Sequence, residues 1–94
     1  MRASGQAYRT LRFTPTFLET MLDKEFTAAD RRAFVKALSL LDSNEKHPSL
    51  RVHELKEALA GFWSVSASKS LRMTFIREAE GIKRLTTCSH HYGD

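Results

Sequence analysis

The chain has 94 residues, 41% apolar and 28% charged, with a net charge of +4 and a pI near 9.6. That length and composition predict one small-cored globular domain over residues 1–94 and exclude a disordered chain; no apolar run approaches the ~20 residues that cross a bilayer, so no membrane association is expected. Cys88 is the one cysteine, which excludes an internal disulfide, and the absence of a hydrophobic stretch after Met1 makes the cytoplasm the expected compartment.

Residues 1–45 hold seven Lys/Arg against six Asp/Glu, and residues 46–94 hold eight against five, so the basic excess lies mostly in the second half. Such a balance suits a polyanion such as nucleic acid, or an acidic protein partner.

In chain order, residues 1–6 read as a loose tail. Residues 7–13 alternate polar and apolar and carry aromatic and β-branched side chains, which predicts a strand. Thr14-Pro15 ends it and opens a short helix, because Thr caps well and Pro suits the first helical position. Phe17, Leu18, Met21 and Leu22 then share one helical face, with an end expected near Lys24. Thr27 followed by Asp30 resembles a capping box and predicts a second helix over residues 28–43. There Phe34, Leu38 and Leu41 form the core face, widened by Ala37 and Val35, with Asp30, Arg31, Arg32, Lys36 and Asp42 largely opposite.

Residues 43–48 read as a loop. A short extended segment over residues 50–55 and a weak helical turn over residues 54–60 both remain open. After Gly61, residues 62–68 alternate as a strand, with Trp63, Val65 and Ala67 on one face and Ser64, Ser66 and Ser68 on the other. Residues 71–77 alternate again, Leu71, Met73 and Phe75 against Arg72 and Thr74, and residues 82–88 form a last strand. Strand, helix pair, then strands joined by hairpins predicts an α+β fold, with a mostly antiparallel sheet covered by helices on one face. Ser64, Ser66, Arg72 and Thr74 should point from the open face.

Several residues carry usable chemistry. Arg72, in mid-strand opposite apolar neighbours, is able to hold a phosphate by paired hydrogen bonds; spacing alone favours a solvated or salt-bridged arginine. His53, His90 and His91 belong to a residue type that gains and loses a proton near neutrality, so a pair of them would serve as general base and general acid, with Tyr92 adding a stacking surface or a proton donor. Each alone also reads as an exposed loop or tail residue. Cys88, His90 and His91 lack a second spaced ligand pair, so no metal or other cofactor is expected. Cys88 reads as a buried strand residue and Trp63 as core or hairpin cover. Ser64 lacks the glycine elbow of a serine hydrolase.

Leu55-Lys56, then Gly61-Phe62-Trp63-Ser64, Leu71-Arg72, Cys88 and His91-Tyr92 together resemble the RelE/ParE toxin superfamily, above all its YoeB branch, over residues 53–92. The resemblance implies a RelE-like fold and a toxin of a type II toxin–antitoxin pair that cleaves mRNA on the ribosome without metal. It also implies a cognate antitoxin as partner. Matched residue by residue, Arg72 takes the place of the arginine at the scissile phosphate, and His91 and Tyr92 that of the terminal pair, one of which is the general acid. His53 stands where the YoeB branch has a glutamate base and the YafQ branch a histidine. Lys56 matches a lysine near the phosphate backbone. Val65, Ser66 and Ser89 stand where the family usually has basic residues, leaving Lys69 or Arg51 to supply the missing cations. Trp63 and His90 complete the expected RNA-contacting set. Those same departures keep open a ParE-like inhibitor of DNA gyrase, or an inactive interaction module.

Overall fold

The computed structural model describes residues 8–91; the expected tail at residues 1–6, the start of the expected first strand at Ala7, and Tyr92 lie outside the described residues. The elements run β1 (Leu11–Phe13), α1 (Pro15–Met21), α2 (Ala28–Ser43), β2 (His53–Glu54), β3 (Phe62–Ser66), β4 (Leu71–Arg77) and β5 (Lys83–His90). Short 3-10 turns at Pro48–Leu50 and Glu57–Leu59 flank β2, so both open readings of residues 50–60 are realised. The five strands form one sheet in the order β1-β5-β4-β3-β2. Strands β2 to β5 are antiparallel neighbours, while β1 lies parallel to β5 at the edge, which makes the sheet mixed.

Both helices begin where their caps predict. Thr14 Oγ1 accepts the Phe17 N–H, with Pro15 in the first helical position. At α2, Thr27 Oγ1 accepts the Asp30 N–H while the Asp30 carboxylate accepts the Thr27 N–H, satisfying donors that a helix start otherwise leaves unpaired. Helix α1 ends at Met21, short of Lys24, because Arg31 gathers the carbonyls there. Its Nε donates to Met21 O, and its Nη2 to Leu22 O and Asp23 O. Arg31, expected on a solvated face, is the clasp of the helix pair.

Phe17, Phe34, Leu38 and Leu41 of the helices meet Val65, Leu71, Met73, Phe75, Leu85 and Cys88 of the sheet in one buried cluster. Leu18, Leu22 and Val35 do not join it: they are 50%, 72% and 49% exposed. The two turns of α1 fully bury only Phe17, and Val35 lies about 100° round the helix from Phe34. Two further expectations fail. Ser64 and Ser66 are buried rather than open, because small side chains on a strand flanked by β2 and β4 are shaded by larger neighbours such as Arg72 and Thr74. And β1 is only three residues long, because the Arg9 and Thr10 amides donate to the Asp42 carboxylate, at 3.1 and 2.7 Å, and bend the chain.

The β4–β5 ladder holds one extra residue. Met73 pairs with Cys88 and Thr74 with Thr87, but Phe75 pairs with Leu85, so Thr86 is bulged. Thr86 and Thr87 thus both reach Thr74, each hydroxyl 2.6 Å from Thr74 Oγ1. An odd interval normally puts two strand residues on opposite faces. The bulge lets Leu85 and Cys88 both face the core.

Lys83 is 4% exposed, and its ammonium donates to Thr10 Oγ1 and pairs with Glu45. Burial raises the Asp42 carboxyl, but hydrogen bonds from Thr10 and Arg9 and the charge of Lys83 outweigh it and hold Asp42 below its ordinary value. Hydrogen bonding to Arg77 likewise depresses Glu45 against the effect of burial, with Arg77 and Lys83 adding their charges. A depressed carboxyl stabilises the fold above its unfolded pKa of about 4, and that contribution disappears as pH falls through the lower folded value. Urea unfolding should show wild-type stability falling from pH 5 toward pH 2, with the deficit of Asp42→Asn shrinking over the same range. Phe34→Ala should cost about 3–5 kcal/mol and Leu18→Ala under about 0.5 kcal/mol, as read from urea midpoints.

Candidate functional site

Strand pairing sorts the candidate residues by face, since partners across a ladder share a face. Ser66, Arg72 and Ser89 form one row across β3, β4 and β5, and His53, Ser64, Thr74 and Thr87 form the next. His53 and Arg72 therefore share the sheet face away from the core. On β5 the bulge decides between the histidines. Cys88 and His90 point toward the helices; Ser89 and His91 point toward Arg72.

His90 accordingly stacks on Phe26, ring centroids 4.8 Å apart, with its Nε2 3.4 Å from Glu25. His91 lies past the end of β5, where its N–H donates to Ser70 O at 2.7 Å. Burial pushes the Cys88 thiol up to about 12, against a hydrogen bond from Thr20, so at neutral pH it is neither a nucleophile nor a ready ligand. Among the described residues no three His, Cys, Asp or Glu side chains gather as a metal site.

The side chains of Arg51, Lys69, Arg72 and His91 line one open cleft of about 890 Å³ between α2, the Pro48–Leu50 turn and the β3–β4 connection. Lys36 joins them from α2, and Ala33, Ala37, Leu40 and Leu50 supply an apolar wall. Among the described residues no carboxylate lines it. At the other end of β4 and β5 three basic side chains are matched: Arg77 and Lys83 with Glu45, and Arg84 with Glu78. Cations gathered without acids repel one another, and an anion relieves that cost.

Arg72 has a structural duty as well. Its Nη1 donates to the carbonyls of Ser68, Lys69 and Leu71 at 2.7, 3.3 and 3.0 Å, while its Nε and Nη2 make no hydrogen bond to any described residue. One edge of the guanidinium thus holds the β3–β4 turn, and the other is available to an anion. Arg51 adopts a left-handed backbone with φ of 48° at the end of the 3-10 turn, a conformation costly for a residue with a Cβ. Its carbonyl lies 2.8 Å from His53 Nδ1. A carbonyl only accepts, so Nδ1 carries the proton, and neutral His53 keeps its lone pair on Nε2.

The remaining sequence candidates lie apart. His53 shares the sheet face but is not among the cleft's lining residues, and Lys56 is exposed before the Glu57–Leu59 turn. Trp63 faces the core side, its ring 4.1 Å from the Arg77 guanidinium and stacked on Phe75 at 6.2 Å. Lys36 is a lining residue that sequence reasoning does not single out. The signal for Lys36 is its helical spacing, three residues from Ala33 and four from Leu40, which puts it beside the apolar strip. Replacing Arg72 with Ala should lower stability by about 1–2 kcal/mol through loss of its hydrogen bonds to the turn, as read from urea midpoints.

No protein-family model matches this chain, and no curated protein does. Solved structures do. The YoeB/ParE toxin from Agrobacterium tumefaciens superposes with a TM-score of 0.70 at 17% identity, over 89% of this chain and 100% of that one. YafQ from Escherichia coli strain BL21(DE3) gives 0.68 at 11%, over 88% and 93%. The toxin–antitoxin complex RelBE2 from Mycobacterium tuberculosis gives 0.59 at 18%, over 90% and 100%. At such identities the likeness establishes architecture, and the architecture is the RelE/ParE-type toxin fold.

Proposed function

We propose that this chain is the toxin of a type II toxin–antitoxin pair and acts as a metal-independent endoribonuclease on mRNA at the ribosome, hence in the cytoplasm. The observation that carries the reading is the meeting of Arg72 and His91 in a cleft with Arg51 and Lys69 and no carboxylate among the described lining residues. The fold shared with YoeB/ParE and YafQ supports it.

RNA cleavage by this route needs three groups. His53 Nε2 takes the proton from a ribose 2′-OH, whose oxygen attacks the adjoining phosphorus. A P–O2′ bond forms and the P–O5′ bond breaks, leaving a 2′,3′-cyclic phosphate. His91 or Tyr92 returns a proton to the departing 5′-oxygen. The guanidinium of Arg72, through the edge not bonded to the turn, steadies the charge building on the phosphate. RNA contacts by Arg51 and Lys69 supply affinity that phosphate neutralisation provides in general. Of the other expected RNA contacts, Lys56 stands outside the cleft, and Trp63 and His90 face the helix side of the sheet and take no part in this path.

A cognate antitoxin is the expected protein partner, as RelBE2 is a toxin–antitoxin complex. The helix pair offers Leu18, Leu22 and Val35, exposed aliphatic side chains that an amphipathic segment would cover while screening the basic face.

Induced expression of wild type and His91→Ala, with 5′-end mapping of cellular mRNA, tests the activity. Codon-phased cuts by the wild type, reduced about 10²–10⁴-fold in His91→Ala, are expected if His91 is the general acid. Growth arrest with no cuts would instead mean a gyrase-type toxin, for which Val65, Ser66 and Ser89 in place of basic residues would account. Neither arrest nor cuts would leave an interaction module.

A further inference from the structure

Lys36 belongs to no part of the proposed chemistry, yet it is an exposed cation on the wall of the same cleft, with no hydrogen bond or ion pair to any described residue. It rises from α2 at the margin of a strip made by Ala33, Ala37 and Leu40, three side chains one helical turn apart along one edge of the helix. Arg72 enters from β4 on the sheet side of the cleft, and Lys69 from the turn beyond it. Small-ligand pockets run from about 300 to 1,000 Å³. A cleft of about 890 Å³ is far larger than one phosphate needs and suits a nucleotide with a phosphate on each side.

We propose that α2 is a wall of the RNA site: Lys36 neutralises the phosphate next to the one held by Arg72, and the strip of Ala33 and Leu40, with the core residue Ala37 buried beneath it, seats the intervening sugar and base. This rests on the ribonuclease reading and extends it, by making the substrate a strand threaded between helix and hairpin. Small residues are what such a seat requires. A nucleoside lies flat against a helix only where no long side chain stands between, and Ala33 and Ala37 keep that edge low. The charge asymmetry fits as well, because cations on both walls and acids on neither, among the described residues, let an extended anion be neutralised at successive phosphates.

The test uses the full chain and a fluorescein-labelled, fully 2′-O-methylated RNA hexamer, which binds but lacks the attacking hydroxyl. Fluorescence anisotropy gives the affinity between about 50 and 200 mM salt, where the slope of log affinity against log salt falls by ~0.7 for each single-strand phosphate that is no longer neutralised. Lys36→Gln should weaken binding about 3–10-fold and reduce the slope by ~0.7, and Lys36→Arg should restore both. Ala33→Leu fills the seat without changing charge, and should weaken binding while leaving the slope at its wild-type value. Lys24→Gln, outside the cleft, should match wild type, and circular dichroism checks that each variant is folded. If Arg51→Gln weakens binding but Lys36→Gln does not, the helix wall is wrong and the ribonuclease reading stands. If the wild type binds and neither variant alters it, RNA does not occupy this cleft and both proposals fall; if the wild type does not bind, the helix wall falls and the 5′-end mapping alone decides the ribonuclease reading.

Discussion

The alternation of β4 is the constraint on which the rest depends. Leu71, Met73 and Phe75 are 2%, 0% and 0% exposed on one face, so Arg72 and Thr74 have no choice but the other. β4 sits at the centre of the sheet, and its two ladders transmit that choice to β3 and β5. A shift of one residue would bury the guanidinium among phenylalanines and expose the core, a cost of many kcal/mol. The position of the candidate phosphate cation is therefore set by hydrophobic burial, and its cost is borne by the fold.

The two ends of β4 handle charge in opposite ways. At the Arg77 end, guanidinium, ammonium and carboxylate close on one another: Glu45 meets Arg77 at 2.6 Å and Lys83 at 3.5 Å, and Asp42 fastens the entry to β1. That cluster joins the end of α2 to the first strand and to the β4–β5 hairpin. At the Arg72 end, Lys36, Arg51, Lys69 and Arg72 collect without an acid. The first arrangement supports the fold through a modest electrostatic gain. The second is left uncompensated within the described residues, which is the condition of a surface adapted to an anion from outside.

Much of this was legible in the sequence where the determinants are local. Helix α2 is readable because its cap, Thr27 and Asp30, is three residues apart and its core face recurs at helical spacing. β4 is readable because seven residues alternate without a break. What escapes is non-local. Arg31 and Asp42 look like ordinary solvated helix residues until α1 and β1 are brought beside them. Alternation puts Ser64 and Ser66 on the correct face with the wrong exposure, since periodicity gives direction but not the size of the neighbours. The face shared by His53 and Arg72 follows from two short registers that no propensity specifies. The resemblance to RelE/ParE toxins supplies the architecture more surely than periodicity does, because the motifs that carry it fall at the ends of strands.

The bulge at Thr86 matters for how sequences of this kind are aligned. Thr86 and Thr87 are both β-branched and suit a strand in either orientation, so nothing near them announces which one is supernumerary. Counted inward from Leu85 by strict alternation, position 91 would fall on the helix side and position 90 on the cleft side, the reverse of what is found. Two homologous chains differing by one residue in this strand would present different histidines to the cleft while looking identical at their ends. Equivalence at this site therefore has to be assigned from the strand pairing upstream of the histidines, and a match of the final motif alone identifies the wrong residue whenever a gap has been closed in β5.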